Sequence, residues 1–298
     1  MDLKDCLQNT LNKIEKCNIN RGSKFIMMIV DKEKCVGCGL CVKDCFPGII
    51  KVVDNKAKIR NLACIKCGHC IAVCPKGAIT TDEYKMEDVK DYKEAEFNIE
   101  ADRLLNFIKF RRSTRHFKNI DVETEKIMKI IEAGRFTQTA TNSQNVSYIV
   151  VKDTMEKLKE MAFERLKNKG EEILKNLNPQ TMSYKVYAQL WIKMYNDYKE
   201  NPKNDRLFFN APALILVVSE SPINASLASS NMELMTNAVG LGTFFSGFFA
   251  LATQGNDEIK NFLELEEKKE IVTCMVIGYP DVKYFRTVPR KDPLISWK

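Results

Sequence analysis

Eight of the eleven cysteines fall into two copies of one spacing. Cys35, Cys38, Cys41 and Cys45 form CxxCxxCxxxC, and Cys64, Cys67, Cys70 and Cys74 repeat it at a constant offset of 29 residues. Thiolates three residues apart on a tight turn can converge on one soft metal centre, and Gly37, Gly39 and Gly68 supply the backbone freedom such turns need. A disulfide framework suits secreted chains, and nothing in this sequence points outside the cell. Zinc ribbons use paired cysteines, four to an ion, whereas here three are closely spaced and a fourth is displaced by four. A lone CxxC is often a chance spacing of buried cysteines, a reading that two full copies make remote.

The repeat resembles bacterial two-cluster ferredoxins, in which the fourth cysteine of each run ligates the other cluster. The resemblance implies one [4Fe-4S] cluster on Cys35, Cys38, Cys41 and Cys74, and a second on Cys64, Cys67, Cys70 and Cys45. The first copy departs from the pattern, because Phe46 intervenes before Pro47 whereas Pro75 follows Cys74 directly. His69 stands between ligands, but the cysteine set is already complete and the histidine reads as a solvated loop residue. Cys6, Cys17 and Cys274, outside the repeat, read as small packed hydrophobes.

The densest polar constellation beyond the repeat is Arg111-Arg112-Ser113-Thr114-Arg115-His116-Phe117, just after the apolar, helix-like stretch Leu104 to Phe110. Three arginines alone are usually a solvated face. Arginine forks and a hydroxyl also supply the directed, charge-assisted hydrogen bonds that a phosphate monoester and a flavin ring edge require. The segment resembles the first FMN-binding motif of the FMN-dependent nitroreductase family. That resemblance implies that Arg111 and Ser113 contact the phosphate and ribityl chain, with Arg112 beside them. It puts Arg115 at the pyrimidine edge, where a positive charge stabilises anionic reduced flavin.

Further along, Thr137 to Val151 resembles the family's small-residue run, Asn-x-Gln and following strand, which makes Asn142 and Gln144 flavin-edge residues. Without the family they are ordinary loop polar residues. The family's proline before its serine is missing, and Asn145 stands where a proline often follows the glutamine. The segment Asn231 to Gly247 is similar to the family's central helix at the subunit interface and the backbone near flavin N5, which implies Ser246 and Gly247 at that atom. Read alone, Met232, Met235 and Val239 are a buried helix face. In the tail, Arg290 and Lys291 match basic residues that the family places on the FMN phosphate. No side chain is identified as a catalytic acid or base; flavin N5 carries the chemistry.

Elements must hold these residues. Apolar runs at Val146 to Val151, Ala213 to Ser219 and Ile271 to Tyr279 predict strands among helices, an α+β class. With the resemblances, the expected architecture is a nitroreductase-like sheet-and-helix fold with a small N-terminal ferredoxin-type two-cluster domain. Glu156 to Asn196, rich in Lys, Glu, Met and Leu, predicts helices forming a lid or surface excursion. The expected divisions are an N-terminal helical extension at 1–26, the two-cluster domain at 27–85, an acidic linker at 86–103 and the FMN domain at 104–298. The extension carries Leu3, Cys6, Leu7, Leu11, Ile14 and Cys17 at helical spacing.

Several classes are excluded. No GxGxxG follows a strand run, so a Rossmann domain is unsupported, and the chain has neither HExxH nor GxSxG. The longest apolar stretch, Val239 to Ala252, falls short of the roughly 20 residues a bilayer span needs. With no secretory signal pattern, the sequence reads as cytoplasmic, with no membrane partner. A formal charge of +7 would suit nucleic acid. Two oxidised clusters at about −2 each and an FMN phosphate at about −2 bring the holoprotein close to neutral and remove that argument.

The expected function is an oxidoreductase relaying electrons through two [4Fe-4S] clusters to FMN and on to a nitroaromatic, quinone or enone acceptor. The expected assembly is a homodimer with FMN at the interface, supplied by a ferredoxin or by NAD(P)H. The alternatives are an NAD(P)H-dependent nitroreductase with accessory clusters and a non-enzymatic redox carrier or sensor.

Overall fold

The structure is a computed structural model that describes residues 27–298. The helix expected over 1–26, with Cys6 and Cys17, lies outside the described residues. The chain divides into two compact units between Tyr92 and Lys93.

The first unit follows the internal repeat. Strand β1 (Met28–Val30) pairs antiparallel with β4 (Ile79–Thr81), and β2 (Ile50–Val53) with β3 (Lys56–Ile59). Asp54 and Asn55 join β2 to β3 at φ 53° and 54°, the left-handed pair that a two-residue hairpin turn of primed type demands. Two one-turn helices, α1 (Leu40–Lys43) and α2 (His69–Ala72), occupy equivalent places in the copies. Each is entered through a left-handed glycine, Gly39 at φ 77° and Gly68 at φ 74°. The unit's core consists of Met28, Ile49, Ile50, Ala57, Ala78 and Ile79 together with Cys35, Cys41 and Cys70. Cysteines thus make up a large part of what is buried, and a unit this small has little other apolar material.

The second unit is a four-stranded antiparallel sheet between two layers of helices. The strand order is β5 (Ser147–Val151), β6 (Ala213–Ser219), β8 (Glu270–Gly278), β7 (Gly242–Phe245). Every residue of β6 is buried, as expected of a continuous apolar run in the middle of a covered sheet. Alternate residues serve the two faces. Leu214, Leu216 and Val218 join one core with α6 (Met155–Lys175), α7 (Lys185–Glu200), α9 (Gly247–Thr253) and α10 (Asp257–Phe262). Ala213, Ile215 and Val217 join the other with α5 (Thr124–Arg135) and α8 (Pro222–Ala238). Cys274 is buried in the first core, and Met232 of α8 in the second.

Two short helices lead into this unit, α3 (Glu94–Phe97) and α4 (Ala101–Phe110). The Glu100 side chain caps α4 by accepting from the backbone N–H groups of Asp102 and Arg103. No residue of α4 is buried within the chain.

One sequence expectation is corrected. Glu156 to Asn196 is not a surface excursion. Leu158, Ala162, Phe163, Leu166, Trp191 and Met194 of α6 and α7 are buried in the larger core. Their apolar residues are spaced along one face of each helix, while most of the Lys and Glu residues that suggested a solvated excursion occupy the other, the buried Lys159 excepted.

Candidate functional site

In the first unit the eight repeated cysteines line two cavities. One is bounded by Cys35, Cys38, Cys41 and Cys74, and the other by Cys45, Cys64, Cys67 and Cys70. The fourth cysteine of each run has crossed to the other copy's cavity. Among the described residues no group of three or more His, Cys, Asp or Glu side chains is placed to hold a single metal ion. Sulfurs ringing a cavity fit a polynuclear cluster better than a lone tetrahedral ion.

Backbone donors support thiolates here. Ala57 N–H donates to Cys35 Sγ, Lys66 N–H to Cys64 Sγ and Ala78 N–H to Cys74 Sγ, each at 3.3 Å. The Ala57 and Gly37 amides, with Lys56 nearby, hold the Cys35 thiol below its ordinary value. Burial pushes Cys41 up, and burial with the neighbouring Cys64 and Cys67 pushes Cys70 up to about 11. Metal coordination would overcome that cost, since a coordinated thiol is deprotonated outright. His69 is largely exposed, its Nδ1 3.2 Å from Asp44 Oδ2.

In the second unit the Arg111 to Phe117 segment runs along the sheet edge. Ser113 bridges Thr243 of β7 in parallel, Thr114 N–H donates to the Thr243 carbonyl at 3.0 Å, and Phe117 bridges Pro280. Close approach depends on Gly242, because a Cβ there would lie 2.6 Å from Thr114 Oγ1. Arg111 Nη1 donates to Glu233 Oε1 at 2.9 Å, a half-buried pair. Burial raises Glu233 above the ordinary carboxylate range, against the pull of Arg111 and Arg112. Arg112 Nη2 donates to the Lys109 carbonyl, while its buried Nε has no hydrogen-bond partner. The Arg115 guanidinium lies over the Phe244 ring, 5.2 Å from its centroid.

Arg115 also opens onto a broad cleft with His116, Lys203, Asn204, Arg206, Asn210 and Asp281. A buried anchor frames this cleft. Asp205 accepts from the backbone N–H groups of Leu207 and Phe208 at 2.9 Å and of Asn210 at 3.1 Å, and pairs with Lys159 at 3.1 Å. The anchored loop holds Phe209 at φ 54° and Asn210 at φ 52°, a conformation side-chain-bearing residues rarely adopt.

Asn142 and Gln144 sit in a second such loop, with Thr141, Asn142 and Gln144 at φ 52°, 55° and 46°. It is tied to the start of α8, where Asn224 accepts from Ala140 N–H at 3.3 Å and donates to Asn145 Oδ1 at 2.9 Å. Ser246 and Gly247 follow β7 directly. The Ser246 hydroxyl donates to the Leu207 carbonyl at 2.9 Å, and nothing lies within 4 Å of the Gly247 Cβ position. The structure therefore brings Arg111, Arg112, Ser113 and Arg115 to the same sheet edge as Ser246 and Gly247. Arg290 and Lys291 are exposed in the tail, where Arg290 Nη1 donates to the Pro289 carbonyl at 3.3 Å.

Sequence reasoning missed Glu233, Asn204, Arg206, Asp205 and Lys159. Asp205 carried one local signal, an Asp followed at two and three residues by amides it can cap. The others meet the motif only through tertiary contacts.

A cysteine-lined unit and a helix-covered antiparallel sheet edged by an arginine-rich segment suit a redox protein. The family model described as "Nitroreductase family" matches residues 108–279, and that of a 4Fe-4S dicluster domain matches 27–75. The chain belongs to the nitroreductase family, as a flavoprotein oxidoreductase with an N-terminal 4Fe-4S dicluster domain. Among solved structures it is similar to a nitroreductase with bound FMN from Bacteroides fragilis, at 18% identity and TM-score 0.50, over 65% of this chain and 98% of that one. A BluB-like flavoprotein from Clostridium difficile shares 21% identity at TM-score 0.49, over 66% of this chain and 96% of that one. Comparison with curated proteins found no match. Among the described residues no helix is long and apolar enough to cross a membrane.

Proposed function

We propose that this protein is a reductase that receives single electrons at its dicluster domain and delivers them from FMN to a small conjugated acceptor of the nitroaromatic, quinone or enone type. The observation that carries the reading is the pair of cavities, each lined by four cysteines with the fourth exchanged between copies, in a chain whose other unit has the nitroreductase fold. When bound, the clusters supply one-electron transfer and the flavin converts single electrons into pairs.

The chain's own residues do the holding. Cys35, Cys38, Cys41 and Cys74 hold one [4Fe-4S] cluster, and Cys64, Cys67, Cys70 and Cys45 the other. The orphaned Arg112 Nε, the Arg111 fork and the Ser113 hydroxyl fit an anionic phosphate with its ribityl chain. Arg115 presents its charge to the pyrimidine edge from a cleft that also offers Asn204 and Arg206. Asn142 and Gln144, on their pinned loop, and the backbone at Ser246 and Gly247 complete the ring's surroundings, with Arg290 and Lys291 added when the tail folds onto the phosphate.

We assign the working form as a homodimer. Support comes from the exposed apolar residues Leu104, Leu105, Ile108 and Phe110 of α4 and Phe285, Leu294 and Trp297 of the tail. The thiolate ligands suit a reducing, cytoplasmic compartment.

Anaerobic stopped-flow mixing of the holoprotein with reduced ferredoxin, and separately with NADH and NADPH, tests this. Reduced ferredoxin should bleach the cluster absorbance first and the flavin after it, and added acceptor should restore both. Rapid flavin bleaching by a nicotinamide with the clusters unchanged would replace the relay with direct NAD(P)H use. Failure to turn over any small acceptor would favour a carrier or sensor.

A further inference from the structure

The 29-residue repeat allows the surroundings of the two cysteine-lined cavities to be compared position by position, and they differ in charge. In the first copy Gly37 adopts φ 66°, and a Cβ there would lie 2.4 Å from the Asn55 carbonyl oxygen. Its counterpart is Lys66, which takes the same left-handed conformation at φ 56°. The Lys66 ammonium is held by Glu83 at 2.9 Å. His69, in the wall of the same cavity and opposite Leu40 in the repeat, faces Asp44 at 3.2 Å. Lys66 and His69, beside the Cys45, Cys64, Cys67, Cys70 cavity, are therefore each matched by a carboxylate.

The other cavity is not matched in this way. Lys56 Nζ donates to the Cys35 carbonyl at 2.7 Å, which fixes a full positive charge behind a ligand residue. Lys76 lies in the cavity wall beside Cys74. Among the described residues neither lysine has a carboxylate in ion-pair range. The residue after Lys56 adds the Ala57 N–H to Cys35 Sγ, and Ala78 N–H serves Cys74.

Cluster potentials rise with nearby positive charge and with N–H···S hydrogen bonds, because reduction adds a negative charge that both stabilise. We propose that the two cluster sites are unequal, with Lys56 and Lys76 making the cluster on Cys35, Cys38, Cys41 and Cys74 the easier of the two to reduce. With both clusters held, an electron arriving at the Cys45, Cys64, Cys67, Cys70 site would pass to the other, with no bond made or broken and no proton required. The proposal rests on the two-cluster reading above. It makes the Lys56 site the resting place of the first electron that an external one-electron donor supplies.

Potentiometry of the anaerobic holoprotein, followed by electron paramagnetic resonance, tests the order of reduction, and iron and sulfide analysis of the same sample reports whether both clusters are present. With both present, two resolved midpoint potentials are expected. Lys56→Gln should make the upper cluster about tenfold harder to reduce at a fixed potential, a shift of about 59 mV for one electron, and leave the lower one in place. Glu83→Gln, which releases Lys66, should raise the lower cluster and narrow the gap. Two clusters that reduce together in the native protein, or a Lys56→Gln variant that moves neither potential or only the lower one, would overturn the proposal. Iron analysis showing a single cluster would instead overturn the two-cluster reading.

Discussion

Glu233 shows what a single residue can reveal about the edge proposed to face the flavin. Burial on α8 raises its carboxyl above the ordinary value, and Arg111 and Arg112, the charged groups facing it, only partly offset this. The folded protein therefore binds a proton there more readily than the unfolded chain does. Stability falls as pH rises from the ordinary carboxylate range through the raised folded value, and is level on either side. Glu233→Gln should remove that slope, and thermal melts of both proteins at a series of pH values would show the two curves converging towards the acid side. An unchanged slope would mean that another group is responsible. Lys159 makes a second test. Its side chain is 3% exposed and that of Asp205 fully buried, so Lys159→Met strands a charge away from water. The expected loss is about 3–5 kcal/mol of unfolding free energy, measured with denaturant, and the double variant Lys159→Met/Asp205→Asn should recover much of it.

At the scale of elements, the sheet edge formed by β7 and the Arg111 to Phe117 segment carries the proposed flavin contacts, and glycines tune it differently at its two ends. Thr114 is buried and β-branched, so it cannot move aside for a methyl group at position 242. Gly242→Ala should lift the segment from β7, cost about 1–3 kcal/mol and lower flavin retention after gel filtration. Gly247 has open space in front of it. Gly247→Ala should melt as the native protein does, and a loss of flavin with unchanged melting would place its backbone against the ring.

How far the sequence reached also divides along these elements. The cysteine runs were legible because their spacing is short and repeats, although the fourth cysteine of each run lines the other copy's cavity, and β6 because a fully apolar run of strand length has few other uses. The four residues of β7 were hidden, since Gly-Thr-Phe-Phe after an Ala-rich helix reads as its continuation or a loop. Its pairing with Ser113 spans most of the domain, and no local pattern encodes that. The Arg115 cleft was unreadable for the same reason: Asn204 and Arg206 reach it through a loop held from beneath by Asp205 and Lys159. The α6–α7 pair was read as helical but assigned to the surface, because composition records its charged faces and not what the opposite faces touch.

The whole molecule joins two units that are stabilised in different ways. The unit beyond Lys93 has two apolar cores flanking a sheet, with Phe163, Phe208 and Phe249 fully buried. The unit ending at Tyr92 has one small core in which cysteines stand among a few aliphatic side chains. A domain of that size is only marginally stabilised by apolar burial alone, and metal bound only in the folded state contributes its binding energy to folding. Stripping the iron with a chelator under reducing conditions should therefore melt the first unit selectively. Limited proteolysis of the stripped protein is expected to degrade the region from Met27 to Tyr92 and leave a resistant fragment starting near Lys93 that still binds FMN. Circular dichroism should lose a minor, early transition and keep the main one. If the stripped protein instead resists protease throughout, the cysteine-lined unit folds without its clusters. Their role would then be confined to electron transfer, and the aliphatic residues Met28, Ile49, Ile50 and Ile79 would have to hold that core by themselves.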